Sequence, residues 1–132
     1  MLPIDRMAPA RKTPHVLESA PVFSWYRDHN GLIYTSGHAA VDVDSFHIDR
    51  GDLLSETQAT LENLKRTLEA AGSSLAKVLK VTVYLTDMSA YAAFNSVYAR
   101  YFPGERPPAR TCVEVSRLPF NFRVEIEAIA HT

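Results

Sequence analysis

Residues 77–85 read Lys77-Val78-Leu79-Lys80-Val81-Thr82-Val83-Tyr84-Leu85, a two-residue alternation. It places Leu79, Val81, Val83 and Leu85 on one face and Lys80, Thr82 and Tyr84 on the other, as in a strand with one buried face. The next residues, Thr86-Asp87-Met88-Ser89, carry the chemistry of a helix start. Tyr91, Phe94, Val97, Tyr98 and Tyr101 then recur at helical spacing until Pro103-Gly104 ends the run. That aromatic stripe reads as packing rather than as a binding platform.

Working outward, residues 53–71 form the clearest helix. Ser55-Glu56-Thr57-Gln58 is suited to a capping box with Ser55 at the cap. Leu54, Leu61, Leu64, Leu68 and Ala71 make one apolar stripe, and Gly72 stands where a C-terminal cap belongs. Residues 22–26 are apolar and aromatic and read as a strand. Asp28-His29-Asn30-Gly31 supplies hairpin chemistry, because Asn and Gly tolerate positive φ. Residues 32–36 are the returning strand, ended by Gly37. Residues 38–52, punctuated by Asp42, Asp44, Asp49 and Gly51, read as loop or irregular strand. Downstream, residues 109–115 alternate Thr111, Val113 and Val115 against Arg110, Cys112 and Glu114. Residues 122–130 alternate Val124, Ile126 and Ala128 against Arg123, Glu125, Glu127 and Ile129. The order β-β-α-β-α-β-β predicts a two-layer α+β domain, two helices on one face of a mixed sheet. The other face, with Tyr84, Cys112 and Ile129 among Arg and Glu, is better suited to subunit packing than to water.

The chain has 132 residues, 46% hydrophobic and 22% charged, which is one domain's worth. Residues 1–20, rich in Pro, Arg and Lys, read as an N-terminal extension, and residues 21–132 as a single domain. A formal charge of -1 gives no reason to expect nucleic acid or an anionic membrane as partner. No apolar run is long enough to cross a bilayer and no secretory leader is evident, so a cytoplasmic protein is expected. Cys112 is the single cysteine, which excludes an intrachain disulfide.

There is no phosphate-cradling glycine loop, dinucleotide fingerprint or Gly-x-Ser-x-Gly elbow. The histidines, His15, His29, His38, His47 and His131, are scattered without metal-ligand spacing, so no metal is expected. What stands out is Arg110 near the start of one strand and Glu125 early in the last. A guanidinium held on a strand is a fork for a carboxylate, whether of a side chain or of a ligand. Spacing alone leaves open whether the two form an ion pair that staples strands.

The chain resembles the Rid (reactive intermediate deaminase, or YjgF) family over about residues 23–130. The resemblance lies in Ile33-Tyr34-Thr35-Ser36-Gly37, Gln58-Ala59-Thr60-Leu61-Glu62-Asn63-Leu64, Ala70-Ala71-Gly72, Val81-Thr82-Val83-Tyr84-Leu85-Thr86-Asp87 and Phe94-Asn95-Ser96-Val97-Tyr98. Its most diagnostic parts are Pro107-Pro108-Ala109-Arg110-Thr111-Cys112-Val113-Glu114-Val115 and Val124-Glu125-Ile126-Glu127-Ala128-Ile129-Ala130. The resemblance implies a fold like that of trimeric chorismate mutase, a homotrimer with pockets between subunits, and no cofactor. It implies that Arg110 grips a substrate carboxylate and that Glu125 serves the hydrolytic water. Asn95, Ser36, Gly37 and Cys112 match other pocket-lining positions. Phe23 falls where many members carry tyrosine, and Phe120-Asn121-Phe122 is more aromatic than the usual turn.

The activity implied is hydrolysis of 2-imino or enamine acids to 2-keto acids and ammonia. Cys112 reads as pocket wall before nucleophile. Asn95 either meets substrate or ties helix to loop. Ser36 and Gly37 either present polar groups to a ligand or only end a strand. His38 reads as a surface or interface residue. Three rival functions remain: a keto- or amino-acid sensor without turnover, an aminomuconate-type deaminase favoured by the extra phenylalanines, and a ribonuclease. The near-neutral charge and the lack of a basic stripe speak against the last.

Overall fold

The computed structural model describes residues 22–132; the expected extension, residues 1–20, lies outside them. Strands β1 (Tyr26–His29) and β2 (Leu32–Thr35) form a hairpin. Its two-residue turn, Asn30 and Gly31, has φ of 51° and 80°, the positive pair that matches strand twist. Helix α1 (Leu53–Ala70), strand β3 (Val78–Leu85), helix α2 (Tyr91–Tyr101) and strands β4 (Ala109–Glu114) and β5 (Val124–His131) follow. The five strands lie in the order β1-β2-β5-β3-β4, with β3 and β4 parallel and the other pairs antiparallel. This is the expected α+β arrangement, with both helices on one face of a mixed sheet.

Helix α1 starts earlier than its Ser55 suggests. Asp52 is the cap, its carboxylate accepting from the Ser55 backbone N–H at 2.8 Å. Leu54, in the first turn, is exposed and lies outside the buried stripe, while Leu61, Leu64 and Leu68 are fully buried. At the other end Gly72 takes φ of +84°, with Ser73 N–H donating to Leu68 O and Gly72 N–H to Glu69 O. That pair of bonds is a Schellman stop, which explains why glycine follows the helix.

Two readings of strand faces are corrected. In β3 the register shifts between Val78 and Lys80, so Val78 turns into the core and Leu79 is half exposed; a bulge breaks simple alternation. In β4 the parallel register sets Arg110 opposite Val81 and Cys112 opposite Val83. Side chains in register on paired strands share a face. Arg110 and Cys112 therefore lie beneath the helices, with Cys112 packed on the main core, rather than on the open face. The open face carries Tyr34, Lys80, Thr82, Tyr84, Val113, Glu125, Glu127 and Ile129, of which Tyr34 and Val113 are exposed.

The main core joins Leu61, Leu64 and Leu68 of α1 and Phe94, Val97 and Tyr98 of α2 to Val81, Val83, Leu85, Val124 and Ile126 of the sheet. A second, smaller cluster gathers Ala39, Ala40, Val41, Ile48, Leu118, Phe120 and Phe122. It is made from the irregular segments 38–52 and 115–123 and forms the wall of a cavity.

Candidate functional site

Phe23 precedes β1 rather than lying in it, which corrects the expected strand at 22–26. Its ring meets Trp25 edge to face at 5.3 Å. Trp25 in turn packs on the His38 imidazole at 5.0 Å, and its carbonyl accepts from Ser36 N–H. His38 is not a surface residue. It is buried, with Nδ1 at 2.8 Å from Ser36 O and Nε2 at 2.8 Å from Thr67 Oγ1. A carbonyl only accepts, so Nδ1 carries the proton and Nε2 accepts from the threonine. Burial pushes the His38 pKa down to about 4, keeping the ring neutral. His38 thus holds the strand exit on which Ser36 and Gly37 stand.

Phe23, Trp25, Ser36, Gly37, Phe122 and Glu125 line one cavity of about 340 Å³, completed by Ala39, Val41, Pro119 and Phe120. The walls are mainly apolar and aromatic, with the Glu125 carboxylate as the ionisable group among them. The Glu125 side chain lies so close to Gly37 that a β-carbon there would overlap its carboxylate. Glycine here matters through close approach to that side chain, not through its φ. Burial first, and the like charge of Glu127 second, push the Glu125 carboxyl above its ordinary value. Glu125 accepts no hydrogen bond from the described residues, and it lines the cavity.

Two features fix this wall in place. The buried carboxylate of Glu56 accepts from the backbone N–H of Gly51 and of Arg123, so α1 is tied to the residue just before β5. Phe120 and Asn121 both take positive φ, 57° and 58°. For phenylalanine this conformation is strained. It is held by burial, by the Phe122 ring at 6.0 Å and by Arg50 Nη1 donating to the Phe120 carbonyl at 2.8 Å.

Arg110, Asn95 and Cys112 form a second, separate group. Arg110 donates from Nη1 to Asn95 Oδ1 and from Nη2 to the Tyr91 hydroxyl oxygen, each at 2.8 Å. Its guanidinium lies over the rings of Tyr98, Tyr91 and Phe94 at 4.7, 5.5 and 5.8 Å. These residues sit at i, i+3, i+4 and i+7 on one face of α2, the spacing that brings side chains together over a strand. The aromatic stripe therefore has two roles, core packing by Phe94 and Tyr98 and a cation–π deck for Arg110. Asn95 ties its helix to β4 through Arg110. Burial pushes the Cys112 thiol up, partly offset by Arg110, which favours the protonated sulfur. Tyr91, Phe94, Tyr98 and Trp25 were not singled out by the sequence as site residues. The i, i+4 placement of Tyr91 and Asn95 was the available signal.

Arg110 and Glu125 do not pair. Glu125 is opposite Tyr84 and Arg110 is opposite Val81, so they project from opposite faces of the sheet with β3 between their strands. The strand-staple reading fails. The sequence-named residues thus divide into a cavity group, Phe23, Ser36, Gly37 and Glu125, and an arginine group, Asn95, Arg110 and Cys112. No cluster of three or more His, Cys, Asp or Glu suited to a metal occurs among the described residues.

The chain is thus a two-layer α+β protein with an apolar cavity on one sheet face and an aromatic-backed arginine under the helices, and its fold is that of Rid-type proteins. The family model described as Endoribonuclease L-PSP matches residues 13–132, and the chain belongs to this Rid/YjgF/L-PSP (RutC) family. It is 52% identical over 100 residues to a RutC family protein of Pyrococcus horikoshii, covering 76% of this chain and 79% of that one. The crystal structure of RidA from a Psychrobacter species superposes with a TM-score of 0.79 at 32% identity, covering 92% of this chain and 97% of that chain. That of Escherichia coli TdcF with bound serine gives 0.78 at 32% identity, covering 92% and 96%. The chorismate-mutase-like fold is thereby shared with Rid structures.

Proposed function

We propose that the chain is a hydrolytic deaminase of 2-imino and enamine acids whose site is completed between two copies of itself in a homotrimer. The observation that carries this reading is the placement of Arg110 and Glu125 on opposite faces of one sheet. A carboxylate clamp and an acid–base group that serve one small ligand must then come from different protomers. The cavity of one subunit, with Ser36, Gly37 and Glu125, faces Arg110, Asn95 and Cys112 of the next. A cyclic arrangement repeats this contact at each interface. The open sheet face, with exposed Tyr34 and Val113, is suited to burial in the same assembly.

In this reading Arg110 takes the substrate carboxylate on its planar fork, which the Tyr91–Phe94–Tyr98 deck and Asn95 hold in orientation. Glu125 as carboxylate removes a proton from water while its oxygen adds to the C=N carbon, and the C=N electron pair moves to nitrogen. The proton passes to that nitrogen. The C–N bond then breaks as the new hydroxyl gives up its proton, by way of Glu125, to the departing nitrogen, leaving a 2-keto acid and ammonia. The raised carboxyl of Glu125 favours such a shuttle, since a base works best with a pKa near the operating pH.

The aromatic walls at Phe23, Trp25, Phe120 and Phe122 favour substrates with an apolar side chain. TdcF with bound serine supports recognition of small amino-acid-like ligands by this fold. The family model's ribonuclease description finds no support in a formal charge of -1 and a mainly apolar cavity.

Subunit mixing tests the reading. Arg110→Ala and Glu125→Gln are each expected to be inactive alone. Unfolded, mixed and reassembled, they recover about a quarter of wild-type ammonia release, the random-mixing fraction when each site draws one residue from each neighbour. No recovery from properly assembled mixtures would place both residues in one subunit's site or outside the chemistry.

A further inference from the structure

Tyr91 opens α2 and its hydroxyl oxygen accepts from Arg110 Nη2 at 2.8 Å. Arginine has donors only, so the phenol's own proton must point away from it. That proton has no acceptor among the described residues, and the Tyr91 side chain is 41% exposed. Accepting from a cation also polarises the phenol and strengthens it as a donor. Asn95 occupies Nη1 in the same way, so Asn95 and Tyr91 flank the guanidinium on either side. The remaining N–H groups of the fork and the Tyr91 O–H lie together in one donor cluster.

We propose that Tyr91 is a second donor to the ligand carboxylate, so that guanidinium and phenol together grip the acid end. This rests on Arg110 being the carboxylate clamp. The grip requires a carboxylate: an amide or ester of the same acid offers neither the charge nor two equivalent acceptor oxygens. It also supplies a phenolic donor in a site whose opposite wall, at Phe23, has none. Tyr91 is thus a binding residue, distinct from the deck function that its ring shares with Phe94 and Tyr98.

The test is calorimetric binding of 2-oxobutanoate to the whole protein, compared among wild type, Arg110→Ala, Tyr91→Phe and protein carrying 3-fluorotyrosine at position 91. Tyr91→Phe keeps the ring under Arg110 and removes only the hydroxyl. It is expected to weaken binding about 10-fold, the scale of one hydrogen bond to a charged group. Fluorination makes the phenol a better donor and a poorer acceptor. At slightly acidic pH, where the fluorinated phenol stays protonated, it is expected to tighten binding. Wild-type affinity in Tyr91→Phe, with binding lost in Arg110→Ala, would overturn the role of Tyr91 and leave the clamp standing. Weaker binding with fluorotyrosine would mean that Tyr91 only accepts from Arg110, which also overturns it. Full affinity in Arg110→Ala would remove the clamp itself, and Tyr91's role with it.

Discussion

Gly37 lies so close to the Glu125 side chain that a β-carbon there would have to displace the carboxylate. The exit of β2 and the start of β5 meet there, and the backbone of one shapes the carboxylate of the other. Gly37→Ala is expected to push Glu125 out of place and to lower turnover by about 10²-fold, the scale of a lost acid–base group. Because the neighbour is a flexible side chain that can swing aside, stability should change little. Ammonia release and urea denaturation on the same preparation check both. Wild-type turnover would show that the position of Glu125 does not matter.

Arg110→Lys retains the charge but loses the planar fork and its two side bonds to Asn95 and Tyr91. It is expected to bind 2-keto acids weakly, and Arg110→Ala to lose about 2–4 kcal/mol of binding, judged from charged hydrogen bonds and desolvation. Titration calorimetry with 2-oxobutanoate reads this directly, and sedimentation shows whether assembly is kept.

Glu125 is expected to set the acid limb of the rate. As a base it must be ionised, and burial with Glu127 beside it raises its pKa. The value of kcat/KM therefore falls as pH drops through a midpoint above the usual ~4.3 of a glutamate. Glu127→Gln removes the like charge, so the limb should move to lower pH with little change in the plateau. A limb that does not move would mean that Glu125 is not the group titrating.

His38 links acid to stability. Its folded pKa is about 4 against a reference value of 6.5. Between those values the unfolded chain binds the proton and the folded one does not, so stability rises with pH across this window. The penalty is absent above the reference value, grows as pH falls, and is complete below the folded one. Its full size is on the order of 3 kcal/mol. Denaturant unfolding at neutral pH and near the lower end of the window measures it, and a His38→Gln variant should show a flatter profile.

Phe23→Tyr adds a phenolic hydroxyl to the rim of the cavity. Wild type is expected to prefer imines derived from leucine, methionine and phenylalanine over those from alanine and serine. The variant should narrow that preference by about 1 kcal/mol, one neutral hydrogen bond. Imines generated by an amino-acid oxidase, assayed side by side, check it; identical profiles would show that Phe23 only packs.

Much of the framework was legible in the sequence because it depends on local physics. Period-two alternation marked β3 and β5, the leucine stripe marked α1, Asn30-Gly31 marked the hairpin and Gly72 the helix stop. Each of these signals is a property of neighbouring residues. The family resemblance is local in the same way, carried by short runs such as residues 107–115 and 124–130. The boundaries moved where two local signals competed, as when Asp52 displaced Ser55 as the cap of α1.

What the tertiary structure alone decided is which residues can act together. Arg110 and Glu125 are both polar positions on neighbouring segments of sequence, yet strand order and the parallel β3–β4 register send them to opposite faces. Cys112 and the deck of Tyr91, Phe94 and Tyr98 depend on the same register, and buried His38 on the packing of α1 over the exit of β2. Alternation in a strand shows only that two sets of side chains part company. Which set faces the core is determined by pairing with strands far away in sequence, and that information is present only once the chain has folded.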